Sequence, residues 1–219
     1  MSQREHWEKV YSSKSPEAVS WYAPHLDTSL ALIEQAARNQ NQGHDAAIID
    51  VGGGESTLVD DLIAKGYRDL SVLDLSAHAI EVAKQRLGSS ANNVNWYVAD
   101  MTSAVLPAQR FDIWHDRAVF HFLTDPHQRA AYVTQVLRSV KIGGHLILAT
   151  FGPQGPEKCG GLPVVRYDSE ALHAEFGAPF VLMDSITEDH QTPAGVTQQF
   201  LYCFCRLGST AGAERATLA

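Results

Sequence analysis

The residues most able to do chemistry in this sequence are a carboxylate and the three glycines that follow it. Asp50 lies near the end of the apolar run 46–51, and Gly52, Gly53 and Gly54 come directly after that run. Glycine has no Cβ and tolerates positive φ, so a glycine turn lets the backbone approach a ligand where a side chain would clash. The sequence therefore predicts a ligand-binding turn with a negative charge beside it.

Two further acids follow apolar runs in the same way. Asp74 comes 24 positions after Asp50, near the end of the run 70–75, and Asp100 follows the run 94–99. A carboxylate at this distance from the glycine turn can bind the hydroxyl groups of a ribose. In an open α/β sheet, ligands bind at the carboxyl ends of the strands. The three acids therefore predict a nucleotide or nucleoside site at that edge.

Two kinds of cofactor fit such an edge, the nicotinamide dinucleotides and S-adenosylmethionine. A dinucleotide site needs the pattern G-x-G-x-x-G, but the count from Gly52 meets Gly54 and then Thr57. Asp50 would also repel a pyrophosphate, whereas it suits a ligand that carries an ammonium and a sulfonium group. The charge of the turn favours S-adenosylmethionine.

The segment D-V-G-G-G-E-S at 50–56 resembles the first motif of class I S-adenosylmethionine-dependent methyltransferases, acid-x-Gly-x-Gly-x-Gly, with Ser56 in place of the third glycine. The resemblance extends from about 45 to 207. It implies that Asp74 binds the ribose and that Asp100 and Met101 contact the adenine. The predicted cofactor-binding residues are Asp50, Gly52, Gly53, Gly54, Ser56, Asp74, Leu75, Asp100, Met101 and Asp116.

The residues after the predicted fourth strand, 111–115, are the candidates for catalysis, because that strand end neighbours the glycine turn. His121 is the candidate base, since imidazole titrates near neutral pH; a structural histidine at a helix start is the alternative. Asp116 is expected to orient that ring or to hold the substrate. Arg117 is expected to bind an anionic substrate group or to pair with Asp116. His115 is expected to be structural, and the histidine spacing predicts no metal site.

Aromatic residues are concentrated at the N-terminus, before the first predicted strand. Trp7, Tyr11, Trp21 and Tyr22 lie there, and the pattern W-x-x-x-Y resembles a lid of small methyltransferases of this class. Such rings can close over a cofactor, exclude water and contact a sulfonium through cation–π interactions. The alternative is an amphipathic helix with Trp7 and Tyr11 one turn apart. Tyr11, Trp21 and Tyr22 are the predicted lid residues.

The three cysteines are too few and too unevenly placed for a disulfide scaffold. Cys159 lies in a glycine- and proline-rich loop, where exposure beside Lys158 can lower its pKa; a passive loop thiol is the favoured alternative. Cys159 and Arg166 are counted among the predicted substrate residues. Cys203 and Cys205 alternate on a predicted strand and share one face. That face is either apolar packing or, as the alternative, part of a soft-metal site.

The elements that must position these residues alternate between strand and helix. Apolar runs predict strands near 46–51, 70–75, 94–99, 111–115 and 143–150, and helices near 56–65, 76–87, 126–140 and 168–176. Ser56 and Asp125 are the predicted N-caps of the helices that follow them. The runs 180–187 and 196–206, joined by a turn near 193–195, predict an antiparallel hairpin. The fold class is therefore α/β, a Rossmann-like, doubly wound, mostly parallel seven-stranded sheet with a C-terminal hairpin and an N-terminal helical lid.

Composition bounds the organisation of the chain. At 219 residues and 45% hydrophobic, it is long enough for one sizeable core. The expected domains are a lid and helix at 1–44, an S-adenosylmethionine-binding domain at 45–207 and a disordered tail at 208–219. The net charge of −8 and the lack of a basic run argue against nucleic acid as a partner. No apolar run approaches the roughly 20 residues of a membrane span, so we expect a cytoplasmic protein.

The methyl acceptor is the least determined part of the prediction. The favoured hypothesis is a small-molecule acceptor, such as a thiol or a sulfide, because little chain remains outside the cofactor domain to build a larger site. A protein lysine methyltransferase is the first alternative, since the N-terminal and fourth-strand segments also resemble some lysine-modifying members of the class. A protein that binds the nucleoside without catalysis is the second. The sequence does not predict an oligomeric state.

Overall fold

The structure, a computed structural model, describes residues 2–209 of the chain. The helices are α1 (Gln3–Ser13), α2 (Asp27–Asn39), α3 (Leu58–Ala64), α4 (Ala77–Leu87), α5 (Pro126–Ser139) and α6 (Ser169–Phe176). The strands are β1 (Ala47–Val51), β2 (Asp69–Asp74), β3 (Val94–Val98), β4 (Phe111–Arg117), β5 (Val140–Phe151), β6 (Lys158–Cys159), β7 (Leu162–Pro163), β8 (Phe180–Gln191) and β9 (Thr197–Leu207). Short 3-10 turns lie at Pro16–Ala18, Gly43–Asp45, Gly88–Asn93 and Phe120–Phe122.

Seven strands form one sheet in the order β3-β2-β1-β4-β5-β9-β8. The first five strands of that order pair in parallel, whereas β9 runs antiparallel to both β5 and β8. The order reverses between β1 and β4, so the loops after these two strands leave a crevice between them, where ligands bind in folds of this kind. The predicted mostly parallel seven-stranded sheet with a C-terminal hairpin is confirmed.

The two faces of the sheet are buried under different helices. Ile48 and Ile113 belong to an apolar cluster that includes side chains of α2, α3 and α4. Ile49 and Trp114, their neighbours along the strands, belong to a second cluster with side chains of α5 and α6. Successive strand residues point to opposite faces, so β1 and β4 are buried on both sides; β1 is apolar except for Asp50, whereas β4 also buries the polar residues Asp112, His115 and Asp116.

The helix starts follow the sequence signals with one correction. Asp125 caps α5, and its side chain accepts a hydrogen bond from the backbone N–H of the second helical residue, while Pro126 occupies the first helical position. The predicted cap of α3 was one residue early. Thr57 is the residue before the helix, although the Ser56 hydroxyl still accepts a hydrogen bond from Leu58 N at 3.2 Å.

Other boundaries differ from the predictions at the ends of elements. Strand β5 begins at Val140, ahead of the predicted start at 143, and α5 ends one residue earlier than predicted, at Ser139. The glycine-rich loop after β5 contains the short antiparallel ribbon β6–β7. Of the predicted tail, residues 210–219 lie outside the described residues. Within the part of the chain that is described, none of the helices has the length and apolar character to cross a membrane.

Candidate active site

The glycine turn after β1 is packed too closely for side chains. Gly52 has φ +71° and Gly54 has φ +28°, conformations that favour glycine. A Cβ on Gly53 would lie 2.5 Å from Asp50 Oδ2, and a Cβ on Gly54 would lie 2.7 Å from Asp74 Oδ2. The three glycines therefore pack against Val119, Asp50 and Asp74 more closely than residues with a Cβ could.

A first cavity lies at the carboxyl ends of β1 to β4 and encloses about 790 Å³ of atom-free space, part of it open to solvent. This volume is within the range of small-molecule and cofactor sites. One side of the cavity is formed by residues that follow β2 and β3, and the predicted nucleoside-binding residues are among them. Those residues are Asp74, Leu75, Asp100 and Met101.

Asp74 is buried, and its Oδ1 accepts a hydrogen bond from Ser76 N at 2.8 Å. Burial raises the pKa of Asp74 to about 7, although the hydrogen bond from Ser76 acts in the opposite direction. Asp100 is exposed, and its Oδ1 accepts hydrogen bonds from the backbone N–H and the hydroxyl of Thr102. Asp74 is therefore buried and poorly solvated, whereas Asp100 closes a turn at the surface.

The opposite side of the first cavity is aromatic. Trp7, Tyr11, Trp21 and Phe122 all line it. The ring centroid of Trp7 lies 5.0 Å from that of Phe122 and 5.7 Å from that of Trp21, with both pairs in edge-to-face geometry. Cys159 also lines this side. Trp7 sits against Gly160, where a Cβ would approach its ring to 2.8 Å, so a glycine in the β6–β7 ribbon makes room for the first tryptophan.

A second cavity of about 510 Å³ adjoins the first, with Tyr11, Trp21, Gly52 and Arg117 lining both. Its other lining residues come mainly from the glycine turn and the N-terminal segment. They include Tyr22, Asp50, Gly53, Glu55, Ser56 and His115. The predicted lid residue Tyr22 therefore faces the second cavity, while Tyr11 and Trp21 face both.

Asp50 is bound by a histidine from the neighbouring strand. His115 Nδ1 lies 2.7 Å from Asp50 Oδ1, and His115 Nε2 lies 2.9 Å from the hydroxyl of Ser29 on α2. All three side chains are buried. His115, expected to be structural, thus holds the acid of the glycine turn in place.

Arg117 points to the same face of β4 as His115. Its Nε donates to the Tyr202 hydroxyl at 3.2 Å, and its Nη1 donates to the carbonyl of Trp21 at 3.1 Å. The guanidinium carbon also lies 4.1 Å from the centre of the Phe200 ring, a cation–π contact. Arg117 is thereby fixed with a cationic group at the wall shared by the two cavities.

Comparison with known proteins identifies this arrangement. A family model described as a methyltransferase domain matches residues 48–144, from β1 into β5. A solved structure concerned with "Conversion of a Disulfide Bond into a Thioacetal Group during Echinomycin Biosynthesis" has a TM-score of 0.75 at 19% identity, covering 99% of this chain and 98% of that one. The N-methyltransferase NodS from Bradyrhizobium japonicum WM9, in complex with S-adenosylhomocysteine, has a TM-score of 0.69 at 16% identity, covering 94% and 98%.

The chain contains a methyltransferase domain at 48–144, and its fold is that of class I S-adenosylmethionine-dependent methyltransferases. The predicted family, fold class, enzyme class and cofactor are therefore confirmed. The glycine turn of this methyltransferase fits the cofactor, because a Cβ at Gly53 or Gly54 would fill the space next to Asp50 and Asp74.

The relatives of the methyltransferase domain differ in the acceptors that their names give. The eEF1A lysine and N-terminal methyltransferase of Mus musculus is 25% identical over 149 residues, which are 65% of this chain and 20% of that protein. The malonyl-[acyl-carrier protein] O-methyltransferase of Paenibacillus sp. (strain JDR-2) is 25% identical over 146 residues, 62% of this chain and 52% of that protein. The chain thus spans about a fifth of the first of these relatives and about half of the second.

Two of the predicted catalytic residues of the methyltransferase are not at the cavities. Asp116 is fully buried and accepts hydrogen bonds from the Tyr132 hydroxyl and from the backbone N–H groups of Val119 and Phe120. Burial raises the pKa of Asp116 to about 6, although Tyr132 acts in the opposite direction. Because Asp116 and Arg117 are adjacent on β4, they point to opposite faces, and the predicted ion pair between them is wrong. Asp116 holds the turn after β4 instead.

His121 is also misplaced for the predicted role of general base. Its side chain is 0% exposed, and Nδ1 accepts a hydrogen bond from Phe151 N at 3.3 Å. It is not among the residues that line the two cavities. Burial lowers the pKa of His121 to about 3, with Arg117 acting in the same direction. The structural alternative for this histidine therefore agrees with the geometry.

The predictions for the loop after β5 are corrected as well. Cys159 is only 4% exposed, and burial raises its pKa to about 12, although Arg117 acts in the opposite direction. The suggested exposure and lowered pKa are therefore wrong, and the favoured alternative of an unreactive thiol agrees with the burial of Cys159 in the β6–β7 ribbon. Arg166 does not line either cavity; it donates to Gly155 O and to Glu157.

The other cysteines pack in the apolar core of the methyltransferase. Cys203 and Cys205 are buried on one face of β9 within the second apolar cluster, which agrees with the packing alternative. Among residues 2–209, no three His, Cys, Asp or Glu side chains come together as a metal site. The expected absence of a metal stays a prediction.

Sequence reasoning missed three residues of the cavities. Phe122 and Trp7 line the first cavity and Glu55 lines the second. The position of Glu55 within the glycine turn could have indicated that it lines a cavity. Trp7 had been favoured as helix packing, and its spacing from Tyr11 cannot distinguish a ring that packs on the sheet from one that lines a cavity.

Proposed function

We propose that this methyltransferase acts on a small soft nucleophile, a thiol or a sulfide, bound at the aromatic end of the first cavity. This aromatic end is formed by Trp7, Trp21, Arg117, Phe122 and Cys159. The observation that carries the proposal is the lack of a general base there: among the described residues of the aromatic end, no carboxylate and no histidine is present. The acids of the cavity, Asp74 and Asp100, follow β2 and β3 on its other side.

Acceptors differ in their need for a base. A sulfide sulfur has a free electron pair and no proton to lose. A thiol has a pKa of about 8.5 and a lysine amine one of about 10.4, so a thiol ionises far more readily near neutral pH. A site without a base therefore suits a sulfur nucleophile better than a protonated amine. The solved neighbour concerned with conversion of a disulfide bond into a thioacetal is a further instance of sulfur chemistry on this fold.

The residues of the aromatic end would orient the acceptor and exclude water. The Arg117 guanidinium would stabilise a thiolate or hold an anionic group of the acceptor through a charge-assisted hydrogen bond. The indole rings would surround the reacting atoms and keep water from them. Arg117 is held in place by Tyr202 and the carbonyl of Trp21, so little reorganisation would be needed when the acceptor binds.

The cofactor would be held at the other side of the cavity. Asp74 would accept hydrogen bonds from the ribose, while Leu75 and Met101 would contact the adenine, and the backbone of Gly52 would lie against the ligand. When bound, S-adenosylmethionine supplies an electrophilic methyl group on a positively charged sulfur. The Tyr11 ring lines both cavities and would present an electron-rich face to that charge.

A second candidate is a protein lysine methyltransferase. It is favoured by the name of the Mus musculus relative, an eEF1A lysine and N-terminal methyltransferase. The aromatic end of the cavity weighs against it, because a lysine ammonium must lose a proton before it attacks and no carboxylate or histidine is among the residues that form this end. A malonyl group on a carrier protein, named for the Paenibacillus relative, would present a carboxylate rather than a sulfur atom.

A methyl-donor turnover screen tests the proposal. Purified protein with labelled S-adenosylmethionine is offered small thiols, sulfides, amines, carboxylates and a protein lysate. We expect turnover with a thiol or a sulfide and no labelled protein. Labelled protein without small-molecule turnover supports the lysine candidate and contradicts the proposal, and turnover of carboxylates alone contradicts it as well.

Two arginine variants then test the role of the cation. For an acceptor with an anionic group or a thiolate, Arg117→Gln should lower kcat/KM about 10- to 100-fold, because a hydrogen bond to a charged group contributes about 1.5–3 kcal/mol. Arg166→Gln is the matched control, since Arg166 lines neither cavity and its loss should change kcat/KM less than about twofold. Equal losses in the two variants would contradict a specific role for Arg117.

A further inference from the structure

A buried acid in the glycine turn has no partner within the described part of the chain. Glu55 follows Gly54, lines the second cavity and is 7% exposed. Neither of its carboxylate oxygens has a hydrogen-bond partner among residues 2–209. A buried carboxyl group without a partner is unfavourable, and such groups call for an explanation. A ligand group that donates hydrogen bonds or carries a positive charge would supply the missing partner.

The other charged groups near Glu55 already make hydrogen bonds within the protein. Asp50, the acid that the sequence assigned to the cofactor, is bound to His115 at 2.7 Å. Arg86 donates Nη1 to the backbone carbonyl of Glu55 at 2.9 Å and binds Asp60 with its other nitrogens. Arg117 donates to Tyr202 and to a carbonyl group, while its Nη2 lies 3.8 Å from Glu188 Oε1 and has no hydrogen-bond partner among residues 2–209. Of the two carboxylates that line the second cavity, Asp50 has a hydrogen bond to one oxygen, whereas Glu55 has none to either oxygen among the described residues.

We propose that Glu55 binds the amino group of the methionine part of S-adenosylmethionine. The methionine part is the cationic region of this cofactor, and the second cavity adjoins the first at Gly52, on the way from the nucleoside side. An ammonium group would give both carboxylate oxygens the hydrogen bonds that they lack. Asp50, held by His115, then acts as a positioning residue for the turn. The proposal concerns the cofactor and is independent of the acceptor.

This assignment couples cofactor binding to a proton. Burial raises the pKa of Glu55 to about 7; Arg86 acts in the opposite direction and Asp74 in the same one. The other charged or titratable groups that line the second cavity are Tyr11, Tyr22, Arg117 and the Asp50–His115 pair. A bound ammonium group lowers the pKa of Glu55, so binding releases a proton wherever the free protein holds it. Affinity should therefore fall as pH decreases below about 7, by up to about tenfold per pH unit, and should be insensitive to Glu55 well above that pH.

The experiment compares two ligands by titration calorimetry. S-adenosylhomocysteine carries the amino group, whereas 5′-methylthioadenosine has the same nucleoside and lacks the amino acid part. Asp74 also has a pKa raised to about 7, and its protons contribute with both ligands because both contain the ribose. Titrations in buffers of different ionisation enthalpy give the number of protons released. Near pH 7 we expect S-adenosylhomocysteine to release about half a proton more than 5′-methylthioadenosine.

The variant Glu55→Gln completes the test. It keeps the shape of the protonated acid, so the fold should be retained, and a urea titration checks this. The affinity for S-adenosylhomocysteine should fall about 10- to 100-fold, the extra proton release should disappear, and the affinity for 5′-methylthioadenosine should change less than about twofold. An equal loss for both ligands would overturn the proposal in favour of a role in shaping the turn, and unchanged affinity for S-adenosylhomocysteine would overturn it outright. No acceptor is used, so neither result depends on the proposed function.

Discussion

Glu8, a residue of the N-terminal helix α1, binds the N-terminus of α4 beside the cofactor site. Removing its carboxylate tests whether this contact holds the aromatic residues of α1 at the cavity. Glu8 on α1 accepts hydrogen bonds from Ala77 N at 2.6 Å, the Ser76 hydroxyl at 2.9 Å and His78 N at 3.2 Å. These donors form the N-terminus of α4, where unpaired N–H groups and the helix dipole favour an anion. The same helix α1 carries Trp7 and contributes to the aromatic end of the cavity.

Glu8→Ala should weaken both the fold and ligand binding. Removing an N-terminal capping acceptor costs about 0.5–2 kcal/mol, and the loss of a charge at a helix N-terminus adds about 0.3–1 kcal/mol. Because Glu8 is only partly buried, we expect a total of about 1–2 kcal/mol. If this free energy holds α1 against the cavity, the Kd for S-adenosylhomocysteine should rise about 5- to 30-fold.

Urea unfolding and titration calorimetry at pH 7 measure the two effects, with Lys9→Ala as the control. Lys9 is the next residue of α1 and is exposed, so its loss should change stability by less than about 0.5 kcal/mol. A weaker fold with an unchanged Kd would refute the link between the Glu8 hydrogen bonds and the cofactor site. Equal effects of the two variants would show that α1 is weakened in general.

The pH dependence gives a separate check on Glu8. Burial acts to raise its pKa, but the hydrogen bonds from Ala77, Ser76 and His78 outweigh burial, so the pKa of Glu8 lies below its ordinary value of 4.5. A group with a lowered pKa stabilises the fold above its ordinary pKa and loses that effect as pH falls through the lowered value. The difference in stability between the wild type and Glu8→Ala should therefore be constant near neutral pH and shrink below pH 4.5.

Three further predictions concern other parts of the site. Gly54→Ala, whose Cβ would lie 2.7 Å from Asp74 Oδ2, should cost about 1–3 kcal/mol, seen as at least a fivefold weaker Kd for S-adenosylhomocysteine. Tyr132→Phe removes a hydrogen-bond donor from buried Asp116 and should lower the free energy of unfolding by about 1–3 kcal/mol, measured in urea at pH 7; an unchanged midpoint would contradict this. Cys159, whose pKa burial raises to about 12, should not react with a disulfide reagent in the native protein but should react after denaturation, and rapid native labelling at this position would show that the loop opens.

The glycine turn and its acids could be predicted because their signals are local. A strand, three glycines and a carboxylate at the next strand end are read directly along the chain, and the sheet places them together. The structure has Asp50 and Asp74 on either side of the turn, with atom positions that exclude a Cβ at Gly53 and Gly54. Element types were equally clear, and the errors at α3 and β5 amount to a few residues at the ends.

The catalytic assignments failed for a different physical reason. Adjacent residues on a strand face opposite sides, and this rule, which separated His115 from Trp114, also separates Asp116 from Arg117. Asp116 and Arg117 are adjacent in sequence, which had suggested an ion pair. On a strand their side chains point to opposite faces, so they do not form one. The burial of His121 and Cys159 depends on contacts distant in sequence, with Phe151 and with the β6–β7 ribbon. A single sequence carries no signal for such contacts.

A series of buried hydrogen bonds connects Arg117, which lines both cavities, to the acid of the glycine turn. They connect Arg117, Tyr202, Ser29, His115 and Asp50 in series. A guanidinium can only donate and a carboxylate can only accept: the Tyr202 hydroxyl accepts from both Arg117 and Ser29, and the His115 ring joins the Ser29 hydroxyl to Asp50. One oxygen of Asp50 is thus hydrogen-bonded within the protein, and Arg117 is held by the Tyr202 hydroxyl of the same series. Asp50 and Arg117 are therefore parts of one hydrogen-bonded network. Glu55 lies outside this network, and its carboxyl group, which has no hydrogen bond among residues 2–209, is free to respond to a ligand.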